Sequence, residues 1–379
     1  MKIQTFTHGP DAGWSVALPA ELDSEGTLVV VFGAPEYADA PAPLEELVAA
    51  FPKSAIVGCS SAGEIHGYTI ADRTLVVAVA QFERTELAIA TTPIDKMTDS
   101  ALIGMRLGTR LARSCPRLVL VLSDGLAVNG TDLVRGLAES LPDETMIVGG
   151  LAADGDRFAR TWVLVDGVPK SGHVTAVGLS GPLALGAGSQ GGWDAFGPER
   201  RVTRAHGNVL YELDGKPALA LYKEYLGELA SGLPATALRF PLAIREFPGT
   251  GAPVVRTILA VDESQQSLTF AGDVPNGWRA RLMRSNHDRL IAGAMRAAAE
   301  ATAGISDAPA LALAISCVGR RLVLGARTEE ETEAAHEVLP PGSQQIGFYS
   351  YGEISPGGFA ACELHNQTMT LTTIREIVA

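Results

Sequence analysis

The chain reads "GCSSAGEIH" at Gly58–His66 and "GFYSYGEIS" at Gly347–Ser355. Both stretches run Gly-x-x-Ser-x-Gly-Glu-Ile, roughly 290 residues apart, and both follow an apolar lead-in. A short apolar run that ends in Gly and Ser reads as a buried strand entering a turn. A looser relative, "GGLAADG", stands at Gly149–Gly155. The repeated turn predicts two related α/β modules, each ending a buried strand in a Gly-rich polar turn with a carboxylate.

The same grammar extends outward. "TLVVVFG" (Thr27–Gly33), "RLVLVLSDG" (Arg117–Gly125) and "ALALAISCVG" (Ala310–Gly319) are continuous apolar runs of strand length. "PAPLEELVAAF", "ALIGMRLGTRLAR", "TDLVRGLAESL" and "EETEAAHEVL" show helical spacing, the third with Asn129 or Thr131 as N-cap. "TWVLVDGVPKSGHVTAVGLSG" reads as a hairpin with an Asp-Gly turn. "PALALYKEYLG" is a helix with Pro in its first turn and Gly at its end. "RARLMRSNHDRLIAGAMRAAAEAT" (279–302) reads as one long helix. Thr85–Asp154 and Ser267–Glu353 then share an order of strand, helix, strand, helix, strand and Gly-turn. The fold class expected is α/β, with mixed sheets flanked by helices in two related halves. Continuously apolar strands need cover on both faces, which suggests layered helix–sheet–sheet–helix packing.

Composition narrows the function. The 379 residues are 46% hydrophobic and 19% charged, ample for large cores, and 41 Gly and 22 Pro are spread without a low-complexity tract. A formal net charge of -13 disfavours nucleic-acid binding and adsorption to anionic lipid. No run approaches the length of a membrane span and the N-terminus lacks a signal-peptide core, so a cytoplasmic protein without membrane insertion is expected. The four cysteines form no C-x-x-C pair, which argues against structural zinc.

No strong catalytic signature appears: there is neither a Gly-x-Ser-x-Gly elbow nor a Walker A loop, and "GAGSQGG" (Gly186–Gly192) reads as a flexible loop. Ligands of open α/β sheets gather beyond strand C-termini. The candidate ligand-binding residues are therefore Cys59, Ser60 and Glu64 of the first turn, Asp124 of "LSDG", Asp154, and Tyr349, Tyr351 and Glu353 of the last turn. Glu64, Glu353 and Asp154 would surround one crevice or two equivalent ones. Period-2 geometry puts Tyr349 and Tyr351 on one face. Each has a plain reading beside it: a carboxylate capping backbone amides, a core thiol, tyrosines packed with wet hydroxyls. An enzyme using Cys59 as nucleophile, or Glu64 and Glu353 as acid and base, is the least favoured reading. None of the seven histidines (8, 66, 173, 206, 287, 336, 365) pairs at metal-ligand spacing.

The order of "IVGCSSAGEI", "VLSDG", "IVGGLAADG", "IGFYSYGEI" and "LHNQTMTLT" resembles that of FIST proteins, over about Thr27 to Thr373. The resemblance implies a FIST N-like domain over 25–215 followed by a FIST C-like domain over 216–375. It also implies a small-ligand-binding sensory protein of bacterial signal transduction, with ligands such as amino acids. The implied output passes through a separate partner, a histidine kinase or a cyclic-di-GMP enzyme. Some family members are haem proteins that sense nitric oxide. Haem thus stays open as a cofactor, with no histidine singled out by motif.

Overall fold

The computed structural model describes residues 1–249, 253–305, 308–356 and 362–377. Three sheets, of seven, six and six strands, are built on one four-stranded plan. In the first, the order is Ala55–Ser60, Thr27–Gly33, Leu75–Gln81, Lys2–Gly9; in the second, Met146–Leu151, Leu118–Ser123, His173–Ser180, Glu86–Pro93; in the third, Gln344–Ser350, Leu311–Cys317, Met369–Glu376, Leu183–Gln190. In each, the first pair is parallel and the remaining pairs antiparallel.

The units then exchange strands. Beyond the first turn, Glu64–His66 pairs with Gln344–Ser350 of the third sheet. Beyond the second, Val163–Val165 pairs with Ala55–Ser60 of the first. Beyond the third, Gly352–Ser355 pairs with Met146–Leu151 of the second. The three sheets close into a ring, each edge covered by the next unit, so no unit leaves that edge open to another chain.

The inner faces meet in one core that includes Leu28, Val30, Phe32, Leu118, Leu120, Leu122, Leu313, Ile315 and Phe348. Helices cover the outside: Ala42–Ala50 on the first sheet, Ser100–Leu111 and Gly130–Ala138 on the second, His287–Thr302 and Thr328–His336 on the third. Each sheet thus lies between the shared inner core and its own covering helices, which buries both faces of its apolar strands. The helix His287–Thr302 buries Leu290, Gly293, Ala294, Ala297, Ala298 and Ala301, one stripe of small residues that lets it lie close on its sheet. Asn129 is the N-cap of Gly130–Ala138, and Asp166–Gly167 turns the expected hairpin with both φ angles positive.

Three expectations need correction, the first being the loop at Gly186–Gly192, of which Gly186–Gln190 is strand paired with Met369–Glu376. Arg279–Arg284 is a strand, not the start of the long helix, which begins at His287 behind the N-cap Asn286. Its Arg-Ala-Arg-Leu alternation is a two-residue period, with Ala280 and Leu282 buried. The last module also opens on Leu183–Gln190 rather than on the strand Ser267–Phe270. The described residues between 194 and 284 form a separate antiparallel sheet with its own core around Val202, Leu219, Leu268 and Phe270, set between that strand and its helix. The insertion hides the third copy of the plan within the two halves.

Candidate functional site

The three Gly-turns meet. Aligned on their strands, Gly58, Gly149 and Gly347 face Val31, Val121 and Ala314. Two residues later Ser60, Leu151 and Tyr349 correspond, and after those Ala62, Ala153 and Tyr351. Backbone hydrogen bonds link these positions in a cycle: Ala62 N donates to Tyr349 O (2.9 Å), Ala153 N to Ser60 O (3.1 Å) and Tyr351 N to Leu151 O (3.1 Å). The duplicated turn of the sequence is therefore a threefold junction.

The carboxylates of the turns clamp backbone. Glu64 Oε2 accepts from Thr74 N (3.0 Å) and Thr74 Oγ1 (2.9 Å). Glu353 Oε2 accepts from Thr368 N (3.1 Å) and Thr368 Oγ1 (2.9 Å), and its Oε1 from Ser350 Oγ (2.6 Å). Each clamp ties the turn to the residue ahead of the unit's closing strand. The second unit has Gly155 where the others have glutamate, and Asp124 Oδ2 takes the equivalent amide, Gly172 N, at 2.7 Å. Asp124 Oδ1 also caps Leu126 N at 2.8 Å. Asp154 Oδ2 accepts from Ala159 N and Arg160 N, both at 2.8 Å, and its Oδ1 from the Tyr351 hydroxyl.

Tyr349 and Tyr351 both pack in the outer core, apart from Phe348 of the inner one, but the strand ends at Ser350, the chain bends at Tyr351, and the two hydroxyls reach different partners. The Tyr349 hydroxyl donates to Glu331 at 3.2 Å while the Arg321 guanidinium lies 5.6 Å from the ring centre. The Tyr351 ring stacks on Phe158 with centres 4.9 Å apart. Cys59 is fully buried in the inner core, where burial pushes its thiol well up. The Ser60 hydroxyl accepts from Trp162 N at 3.1 Å inside the protein.

A cleft opens beside the junction in two adjoining chambers of about 550 and 230 Å3, which share Ala62, Gly155, Asp156 and Arg321. Glu64 and Asp154 line the smaller chamber; Cys59, Ser60, Asp124, Tyr349, Tyr351 and Glu353 line neither. Sequence reading missed Ser61, Asp72, Asp156, Arg157 and Arg321, which join Glu36, Arg73, Thr328 and Glu329 in the polar wall. Arg321 comes from the short helix Val318–Leu324, 258 residues along the chain from Gly63 (321 − 63), and no local pattern ties the two together.

Haem does not fit this cleft. No histidine lines it. His365 Nε2 contacts Ser355 O at 3.2 Å, His66 Nε2 contacts Thr5 Oγ1 at 3.1 Å and His173 Nδ1 contacts Ser171 O at 2.8 Å. Burial lowers the His365 imidazole to about 4, so it is neutral at physiological pH.

Burial raises both clamp carboxyls, Glu64 and Glu353, to about 8. Desolvation outweighs the hydrogen bonds from Thr74, Ser61, Thr368 and Ser350, which favour the charged form, and Arg320 near Glu353. A carboxyl raised on folding binds its proton more tightly in the native state, so its contribution is full below about 4.5 and is lost as pH rises through about 8. The urea midpoint should fall between pH 6 and pH 9, and the Glu64→Gln/Glu353→Gln variant should lose much of that slope. Equal slopes in the two proteins would show that these carboxyls are ionised throughout.

Three helix-covered sheets sharing strands around one polar cleft define a mixed α/β protein of tandem, interlocked domains. The chain belongs to the FIST family: the FIST N domain matches residues 27–216 and the FIST C domain residues 218–356. FIST domains are sensory modules of signal transduction. An uncharacterized protein of Methanocaldococcus jannaschii is 28% identical over 192 residues, which cover 47% of this chain and 36% of that protein, so the chain spans about a third of that relative's length. A cyanuric acid hydrolase from A. caulinodans aligns over 62% of this chain and 88% of its own, at 13% identity and a TM-score of 0.29, too low to bear on function here. No helix among the described residues is long and apolar enough to cross a membrane.

Proposed function

We propose that this protein is a signal-input module that binds a small polar ligand in the cleft beside the threefold junction. One observation carries the reading: charged and hydroxyl side chains from all three units, Ser61, Glu64, Asp154 and Arg321 among them, converge on one opening of ligand size. A ligand there touches the joint where the units exchange strands, so its binding energy acts on their packing. The family's role in signalling supports an output through a separate cytoplasmic partner, for which a histidine kinase or a cyclic-di-GMP enzyme is the class to test.

The test is a thermal-shift screen of small metabolites on the wild type and on Ala326→Trp, since Ala326 is exposed on the wall of the larger chamber. A ligand that binds only the folded state at about 100 times its Kd adds ~2.7 kcal/mol, a shift of several degrees. Hits in the wild type that vanish in Ala326→Trp support the cleft. Hits that survive the tryptophan place the ligand elsewhere.

A further inference from the structure

Arg321 is held in a fixed pose by three groups besides its carboxylate partner. Its Nη1 donates to Ala62 O, the junction carbonyl, at 2.5 Å. Its guanidinium lies over the Tyr349 ring. It also rests flat on Gly63, where an added Cβ would come within 2.3 Å of Nη1 and 2.7 Å of Cζ. Gly63 of the repeated turn is thus glycine because an arginine from another unit occupies the space over its Cα, and because its φ is +138°.

What remains of the fork points along the cleft. There it meets Asp72, with Nη1 to Oδ1 at 2.7 Å and Nη2 to Oδ2 at 2.8 Å, a bidentate pair. The two partners differ in exposure and in how many other groups hold them. The Arg321 side chain is 23% exposed and gripped, whereas Asp72 is 67% exposed and sits on the loop after Thr69–Ala71. Arg321 is also the charged residue common to both chambers beyond Asp156, so the Arg321–Asp72 pair stands between them. The larger chamber adds an apolar wall of Ile70, Val318 and Leu322 next to the guanidinium.

We propose that Arg321 anchors the carboxylate of a small monocarboxylate ligand with an apolar body, and that Asp72 is an internal stand-in which fills the fork until the ligand takes its place. The proposal rests on the cleft being the ligand site. An incoming carboxylate makes the same two N–H···O bonds that Asp72 makes, and its apolar part lies against Ile70, Val318 and Leu322. The exchange is nearly even in hydrogen bonds, so binding is governed by the apolar contact and by the fraction of forks that Asp72 leaves open. The other ionisable groups along the chambers are Glu36, Glu64, Asp154, Asp156 and Glu329, with Arg73 and Arg157. The acidic side chains along both chambers oppose an incoming anion, which sets a modest affinity for the wild type.

Isothermal titration with benzoate, and with benzamide as the uncharged isostere, tests this on the whole chain. Asp72→Ala should bind benzoate about fivefold more tightly than wild type, the scale of one exposed ion pair, with little change in thermal midpoint. Arg321→Lys in the Asp72→Ala background should lose that gain, because an ammonium cannot offer the fork. Benzamide should bind neither protein measurably. Benzoate binding to Asp72→Ala that is no tighter than to wild type, or that survives Arg321→Lys, overturns the anchor, and so does an opened fork that takes up no benzoate at all. The cleft reading fails separately: benzoate binding that persists in Ala326→Trp would refute the cleft, whereas its loss there with no response to Asp72→Ala would refute only the anchor.

Discussion

Gly347→Ala should unfold at a far lower urea midpoint than wild type, with a loss of about 3 kcal/mol or more. An added Cβ at Gly347 would lie 1.7 Å from Ala314 O and 2.7 Å from Ala314 C. These are backbone atoms of the parallel neighbour, which cannot turn aside as a side chain would. Relief requires prising Leu311–Cys317 from Gln344–Ser350, the central pair of the third sheet. The equivalent glycines show the same approach, with a Cβ at Gly149 falling 1.8 Å from Val121 O and one at Gly58 falling 2.4 Å from Val31 O. Gly304→Ala is the matched control: nothing lies within 4 Å of the site, and the change should stay within about 0.5 kcal/mol. Similar midpoints for Gly347→Ala and wild type would mean that the strands do not run this close at the junction.

Glu331→Ala should be comparably severe, at about 3–5 kcal/mol, because it strands a buried arginine. Arg320 and Glu331 are both fully buried and paired at 2.5 Å. Arg320 Nη1 also donates to Gly191 O at 3.2 Å and its Nη2 to Leu290 O at 2.7 Å. Glu331 Oε1 accepts from Ser316 Oγ at 2.8 Å and from Tyr349. The pair ties the helix Thr328–His336 to the strand Leu311–Cys317 and to the helix His287–Thr302, beneath the wall that carries Arg321. Removing both charges together as Arg320→Met/Glu331→Leu should recover most of the loss, since the desolvation of two ions is avoided along with their attraction. Urea denaturation of the single and double variants checks this. A double variant as unstable as Glu331→Ala would show that the hydrogen bonds to Gly191, Leu290 and Ser316, rather than the stranded charge, set the cost.

Some of the site was legible in the chain and some was not. The strands were readable because runs such as "TLVVVFG" and "RLVLVLSDG" are apolar on both faces, and the turns because Gly and Ser recur at fixed offsets. The repeat of Gly58, Gly63 and Glu64 in Gly347, Gly352 and Glu353 reported a real equivalence. Its meaning was not readable: the glutamates clamp Thr74 and Thr368, and in the second unit Asp124 does that work from another strand. The third copy was obscured by Gly155 at the glutamate position and by the inserted sheet of residues 194–284.

By itself the sequence determined the local elements, the burial of most strands and the glycines that let backbones approach, because these follow from side-chain size and period along the chain. Only the tertiary structure decided that the turns form one cyclic junction, that the Tyr349 and Tyr351 hydroxyls reach Glu331 and Asp154, and that Arg321 lies over Gly63 against Asp72. Those relations join residues from different units through strand exchange. The physical reason is that a hydrogen bond or an ion pair is set by distance in space, and neither composition nor period records which distant segment closes that distance.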